Sequence, residues 1–393
     1  MTRPAVGRTA AALFSYGFRP FFLGAGIWGA AAIALWIAML TTGLELPSRF
    51  DPLTWHVHEM LFGFVLAAVA GFLLTAIPNW TGRQPVRGAP LATLAGLWIL
   101  GRVAAVVSAW MPVWLAIAAD LAFPVALAAV VAREIIVSGN RRNLPVIAPL
   151  VVLALADGLT DSSLEGLGGL SGYGWRLGLA AILILISVMG GRIVPSFTRN
   201  WLAARGNGRP PAASGAVDRL SLGLLHTSLV AWVFAPAATA VGIALLCAAT
   251  VNLWRLLRWR GGQTRSEPLL LVLHVGYAWL VAGIGALGAA VLDPGFPLSA
   301  AIHALTAGAI GTMILAVMTR VTRGHTGHEL SADGATTLMY VLVTLAAAVR
   351  IAAALAQKGR PDLLIGAAAL WIAAFGLFAL RYAPLLVRPR RAG

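Results

Sequence analysis

The sequence predicts an all-α, polytopic membrane protein, and three observations carry that reading. Of the 393 residues, 59% are hydrophobic and 11% charged, whereas a soluble domain carries roughly 25% charged residues. The mean hydropathy is +0.85. Apolar runs of the roughly 17 to 25 residues needed to cross a bilayer recur about twelve times, separated by short polar loops.

Taken in order, the predicted spans begin near Phe21, Trp55, Ala89, Val113, Leu144, Trp175, Arg219, Ala237, Pro268, Pro297, Ala335 and Asp362. The first, near 21–42, follows Arg3, Arg8 and Arg19. At about 20 residues it exceeds the 7 to 15 of a signal-peptide core, so it reads as a retained anchor. The second opens on Trp55-His56-Val57-His58-Glu59-Met60, three ionisable groups at a membrane edge. Polar groups placed there cost free energy unless paired, which makes this stretch the first candidate for function. The fifth is crowded at its end by Asp157, Asp161 and Glu165, the seventh is short, and the last runs near 362–386. Residues 1–393 thus form a single integral membrane domain without a soluble one. The longest loops, Asn200 to Asp218 and Leu159 to Gly174, are rich in Gly, Pro and Ser and too short to fold alone.

A net charge of +15 in a soluble chain would suggest nucleic acid. Here the basic residues are spread through short loops instead of gathered on one domain. The lipid bilayer is the expected partner, and nucleic acid is not. Counting Lys and Arg in the loops gives 21 on one side, from Arg3 to Arg391, against Arg49, Arg176, Lys358 and Arg360 on the other. Both termini are therefore expected in the cytoplasm. Cys247 is the one cysteine, which excludes a disulfide framework and a CxxC motif; its apolar neighbours predict an inert core position.

Helices two, six and ten end in a weak echo: Thr81-Gly82-Arg83, Thr198-Arg199 and Thr319-Arg320. An ancestral repeat would give three units of four helices; the alternative is that Thr and Arg often end a helix on the positive side.

The histidines fall into layers. At about 1.5 Å of rise per residue, His303 lies roughly 9 Å below the periplasmic edge of the tenth helix. His56 and His58 start the second, and Asp120, Arg102 and Arg350 lie in the same layer. Neutral imidazole suits haem iron and copper, and haem propionates need cationic partners. Arg102 and Arg350 could serve those propionates, or pair with Asp120 or Glu59 and hold the bundle together. His56 and His58 are about 200° apart on a regular helix, while His56 and Glu59 share a face. Glu59 is therefore expected to orient His56, leaving His58 for another centre or a cap.

Toward the cytoplasm, His274 has Tyr277 one turn further on, and His226 lies at similar depth. Such a pair suits a metal ligand or a proton relay, or simply a hydrogen-bonded core; His226, before Thr227 and Ser228, fits the core better. A third cluster runs from Arg320 through Arg323, His325 and His328 to Glu329. Its two glycines predict a turn at the surface, either solvated or a lid over a cofactor edge with Arg320 or Arg323 on propionates. No P-loop or GxSxG occurs.

With these motifs in place, the chain resembles the NnrS family, haem- and copper-containing bacterial membrane proteins associated with nitric oxide and nitrosative stress. The matching stretches are Tyr16 to Phe22, Trp55 to Gly63, Gly71 to Gly82, Gly191 to Leu202, His274 to Leu280 and His303 to Gly327. The resemblance implies haem, of the b type, and copper as cofactors, the bacterial inner membrane as location, and binding or detoxification of nitric oxide with an electron donor. It favours His56, His58, His274, His303 and His325 as metal ligands. The expected topology also resembles haem-copper oxidase main subunits, where histidines on helices two and ten hold a haem. A redox protein is thus the leading expectation; a transporter of a small solute, metal or haem, or a haem sensor without turnover, are the alternatives.

Overall fold

The structure, a computed structural model, describes residues 9, 11–206, 208–356 and 359–390. Arg3, Arg8, Lys358 and Arg391, used in the charge count, lie outside the described residues. Helices correspond one for one to the twelve predicted spans: α1 Phe18–Thr42, α2 Pro52–Thr81, α3 Ala89–Val107, α4 Val113–Val137, α5 Ile147–Asp161, α6 Gly168–Ala204, α7 Ala216–Phe234, α8 Thr239–Leu257, α9 Pro268–Leu292, α10 Leu298–His325, α11 Gly334–Leu355 and α12 Pro361–Val387. Eleven of them, with their flanking turns, are long and apolar enough to cross a membrane. The exception is α7, whose 19 residues include Asp218, Arg219 and His226.

Helix contacts divide the chain into two compact units, not three groups of four. The first comprises 1–179, 318–329 and 375–393, the second 180–317 and 330–374. In the first unit α1 packs on α2, α3 on α4, and α4 on both α2 and α5. In the second α8 packs on α7 and α9, and α9 and α11 on α10.

Local chemistry explains how α2 begins. Pro52 occupies its first turn, and the Asp51 carboxylate accepts from the backbone N–H groups of Leu53 and Thr54 at 2.9 and 3.1 Å, satisfying donors that a helix start leaves open. Burial pushes the Asp51 carboxyl up, but these bonds and the Thr54 hydroxyl outweigh it and hold it below the usual carboxylate range. Two helices then depart from regular α geometry. In α2 a π-helical stretch spans Glu59–Val65, immediately after His58; in α10 another spans Ala304–Gly311, immediately after His303. Such widened turns are rare and concentrate at functional sites.

Two expectations fail here. Gly324 does not break α10, which continues to His325, and the reversal falls at Gly327 with φ of 78°. His325 therefore ends a helix instead of sitting in a turn. Its ring packs 5.3 Å from that of Tyr16 and 5.5 Å from that of Phe18. Cys247 is on an exposed face of α8, not in the core.

The contact between α5 and α6 is close: a methyl added at Gly174 would lie 2.5 Å from the Thr160 backbone nitrogen and 2.7 Å from the Ala156 carbonyl oxygen. Backbone atoms cannot yield as a side chain can. Gly174→Ala should cost about 1–3 kcal/mol of stability in detergent, read as a lowered melting temperature by size-exclusion recovery, whereas Gly169→Ala, with nothing within 4 Å, should not lower it.

Candidate functional site

Five helices of the first unit converge on one buried polar cluster. His58 and Glu59 come from α2, Arg102 from α3, Asp120 from α4, and Asp157 and Asp161 from successive turns of α5; Trp28 of α1 completes it. His58, Glu59 and Asp157 are 0% exposed and Asp161 1%. Asp120 and Arg102 are buried as well.

The hydrogen bonds are specific. Arg102 donates from one terminal nitrogen to Glu59 Oε1 at 2.7 Å and from the other to Asp120 Oδ1 at 2.6 Å. Trp28 donates its indole N–H to Glu59 Oε2 at 2.7 Å. His58 Nδ1 lies 3.0 Å from Glu59 Oε1 and donates to it. Its Nε2 lies 2.8 Å from Asp120 Oδ2, and 3.1 and 3.4 Å from one oxygen each of Asp157 and Asp161. Phe50 stacks on the imidazole at 4.9 Å.

Small residues make the approach possible. A methyl at Gly63 would meet Arg102, Glu59 and Trp28 polar atoms at 2.7 to 2.8 Å, and one at Gly101 would meet Asp120 Oδ1 at 2.7 Å. The π stretch is closed by a side chain: the Trp98 indole donates to the Gly63 carbonyl at 2.9 Å.

The bonding is uneven. Glu59 is fully engaged and Asp120 uses both oxygens, but all four carboxylate oxygens of Asp157 and Asp161 lack a hydrogen-bond partner among the described residues. Their contacts with Nε2, at 3.1 and 3.4 Å, are close in distance yet not aligned for a hydrogen bond.

Other expected site residues lie elsewhere. His56 does not pair with Glu59; its ring stacks on Trp36 at 4.1 Å and 19°. The regular 100° step behind that expectation fails where the π turn begins at Glu59. Arg102 forms the carboxylate pairs, of the two roles open to it. Arg323 donates from Nε to the Glu329 carbonyl at 2.9 Å, and Arg320 is half-buried in the same stretch of α10.

In the second unit, His303 Nδ1 donates to the Ser299 carbonyl at 2.7 Å. Arg350 of α11 donates to the Ser299 hydroxyl at 3.0 Å, while its Nε has no hydrogen-bond partner. His274 Nε2 lies 2.9 Å from the Thr198 hydroxyl, whose own proton goes to the Val194 carbonyl. The imidazole is therefore the donor, and its buried Nδ1 faces Gly261, where an added methyl would lie 2.6 Å away. Tyr277 is not joined to His274. Its hydroxyl accepts from Arg255 at 2.9 Å and donates to Asn252 at 2.7 Å, and Arg255 also donates to Asp218 at 3.0 Å. His226 bonds the Ser187 hydroxyl at 2.8 Å, as a core residue would.

A family model described as NnrS protein matches residues 12–390, nearly the whole chain. The chain belongs to the NnrS family. No curated protein matches it. In this NnrS protein, then, a multi-pass helical scaffold carries a buried carboxylate cluster in one unit and a histidine with a fixed proton in the other.

Asp157 and Asp161 are the site residues that the sequence reading passed over. Their spacing of four puts both on one face of α5, a signal that two acids in an apolar helix share a task, and not mere crowding at a helix end.

Arg102 holds two carboxylates at once, and removing one partner of a buried ion pair strands the others. Arg102→Met should cost about 3–5 kcal/mol, seen as a fall in folded NnrS protein recovered from detergent and in its resistance to SDS. A variant of wild-type stability would mean that the pairs contribute nothing.

Proposed function

We propose that this NnrS protein resides in the bacterial inner membrane, binds haem of the b type, and uses it to bind and help detoxify nitric oxide or a related small ligand with electrons from an external donor. One observation carries the reading. The Ser299 carbonyl takes the Nδ1 proton of His303, and the imidazole then presents Nε2 as a bare lone pair, the tautomer that metal-ligating histidines commonly adopt. Arg350 stands beside it through Ser299, with one donor still unsatisfied.

These residues fit haem. His303 Nε2 would ligate the iron and Arg350 would meet a propionate, whose charge needs a cation in a low-dielectric layer. Haem iron, when bound, supplies an open coordination position for nitric oxide and a one-electron couple. Ser299 holds the imidazole and the guanidinium in one frame. By contrast, an apolar cavity of about 480 Å³ in the first unit, lined by Phe21, Ile27, Trp28, Trp98 and Arg102, has no histidine on its wall and so no axial ligand.

Copper fits less well. Within neither unit do three histidines come together among the described residues. His56 is stacked on an indole, His274 turns its unprotonated, buried nitrogen toward Gly261, and His58 has carboxylates as its close co-donors.

Purified protein should show a Soret band that shifts on adding nitric oxide. His303→Ala should lower haem content by at least about tenfold, and Arg350→Gln should speed haem loss while leaving the Soret position unchanged. Wild-type haem content and an unchanged nitric oxide spectrum in His303→Ala would reject the assignment. Consumption of nitric oxide with an electron donor would separate turnover from sensing.

A further inference from the structure

The buried cluster of the first unit has more negative charge than its own cations can balance. Glu59, Asp120, Asp157 and Asp161 oppose one guanidinium, Arg102, and an imidazole whose Nδ1 proton already belongs to Glu59. Such an excess in a membrane interior must be met by something that brings positive charge.

The geometry points to a divalent cation. We propose that His58 Nε2, Asp120 Oδ2, and one oxygen each of Asp157 and Asp161 form a binding site for a first-row divalent cation such as Mn²⁺, Fe²⁺ or Zn²⁺. These four donor groups offer atoms that all lie within 4.8 Å of one another. The three oxygens stand 2.8, 3.1 and 3.4 Å from Nε2, the separations expected between neighbouring ligands held at about 2.0 to 2.2 Å from one ion. Asp157 and Asp161, at 0% and 1% exposure, aim four oxygens into the cluster without a hydrogen-bond donor.

The surrounding groups suit the same role. Glu59 accepts the Nδ1 proton of His58, which fixes the tautomer and raises the basicity of Nε2, the carboxylate–histidine–metal arrangement. Arg102 and Trp28 hold Glu59 in turn. One imidazole with three carboxylates is a hard donor set, suited to Mn²⁺, Fe²⁺ and Zn²⁺ and poorly suited to Cu(I), which prefers sulfur. This donor set differs from the one copper would want at His58, which the family resemblance favours as a ligand, and the site does not rest on the assignment of His303.

The test uses full-length protein in detergent, stripped with EDTA and titrated with Mn²⁺ alone. Free Mn²⁺ is followed by EPR and haem content by pyridine haemochrome in the same samples. Wild type should take up one tightly held Mn²⁺ per chain, and Asp157→Asn/Asp161→Asn should lose it with haem content unchanged. Glu59→Gln should weaken Mn²⁺ by roughly 10–100-fold at unchanged stoichiometry. Equal uptake by wild type and the double variant, or none by wild type, would overturn the proposal and leave an imidazolium between Glu59 and Asp120 with protons on Asp157 and Asp161. Should the double variant not fold, pulsed EPR of Mn²⁺-loaded wild type decides: one imidazole nitrogen coupling supports the site, and its absence rejects it.

Discussion

A charge taken into hydrocarbon costs several kcal/mol unless a partner of opposite sign and a full set of hydrogen bonds come with it. In the first unit of this NnrS protein that constraint draws five helices to one point. Arg102 reaches two carboxylates from α3, and each carboxylate belongs to a different helix. His58 sits between the same two acids and faces two more. Pulling α2, α3 or α4 away would leave a buried charge without its counterpart, so the polar cluster ties together helices whose lipid-facing surfaces supply no comparable attraction.

The approach required is close, and the backbone is adapted to it. Glycines at 63 and 101 leave the volume into which guanidinium, indole and carboxylate atoms fit. The π turn opening at Glu59 changes the angular step, so that adjacent residues His58 and Glu59 share a hydrogen bond. The carbonyl of Gly63 inside that turn is met by Trp98.

The second unit uses the same local device with different chemistry. His303 also precedes a π turn, and the helix that follows also carries a buried or half-buried arginine. Its Nδ1 proton, however, goes to a main-chain carbonyl instead of a carboxylate. Among the described residues no acid is hydrogen-bonded to this histidine, which leaves Nε2 neutral and available, the state wanted by an iron ligand. One chain thus presents two imidazoles in contrasting settings, a carboxylate-rich one and a carboxylate-poor one.

Legibility in the sequence divides along physical lines. The twelve helices could be read off because length, apolarity and loop charge are local properties that lipid imposes on each segment separately. So could the need of His58, Glu59, Arg102 and Asp120 for polar partners, since ionisable groups in such segments are costly wherever they point. What the linear pattern could not supply was partnership. A regular 100° step matches Glu59 to His56, and the π turn breaks that step; one helical turn matches Tyr277 to His274, but the hydroxyl turns to Arg255; and the pattern gives Asp157 and Asp161 no partner. Composition and apolar period determined by themselves that this chain lies in a membrane as a helical bundle. Only the tertiary structure decided that α5 brings its two acids to His58, because the rotation of one helix against another is set by contacts far apart in sequence.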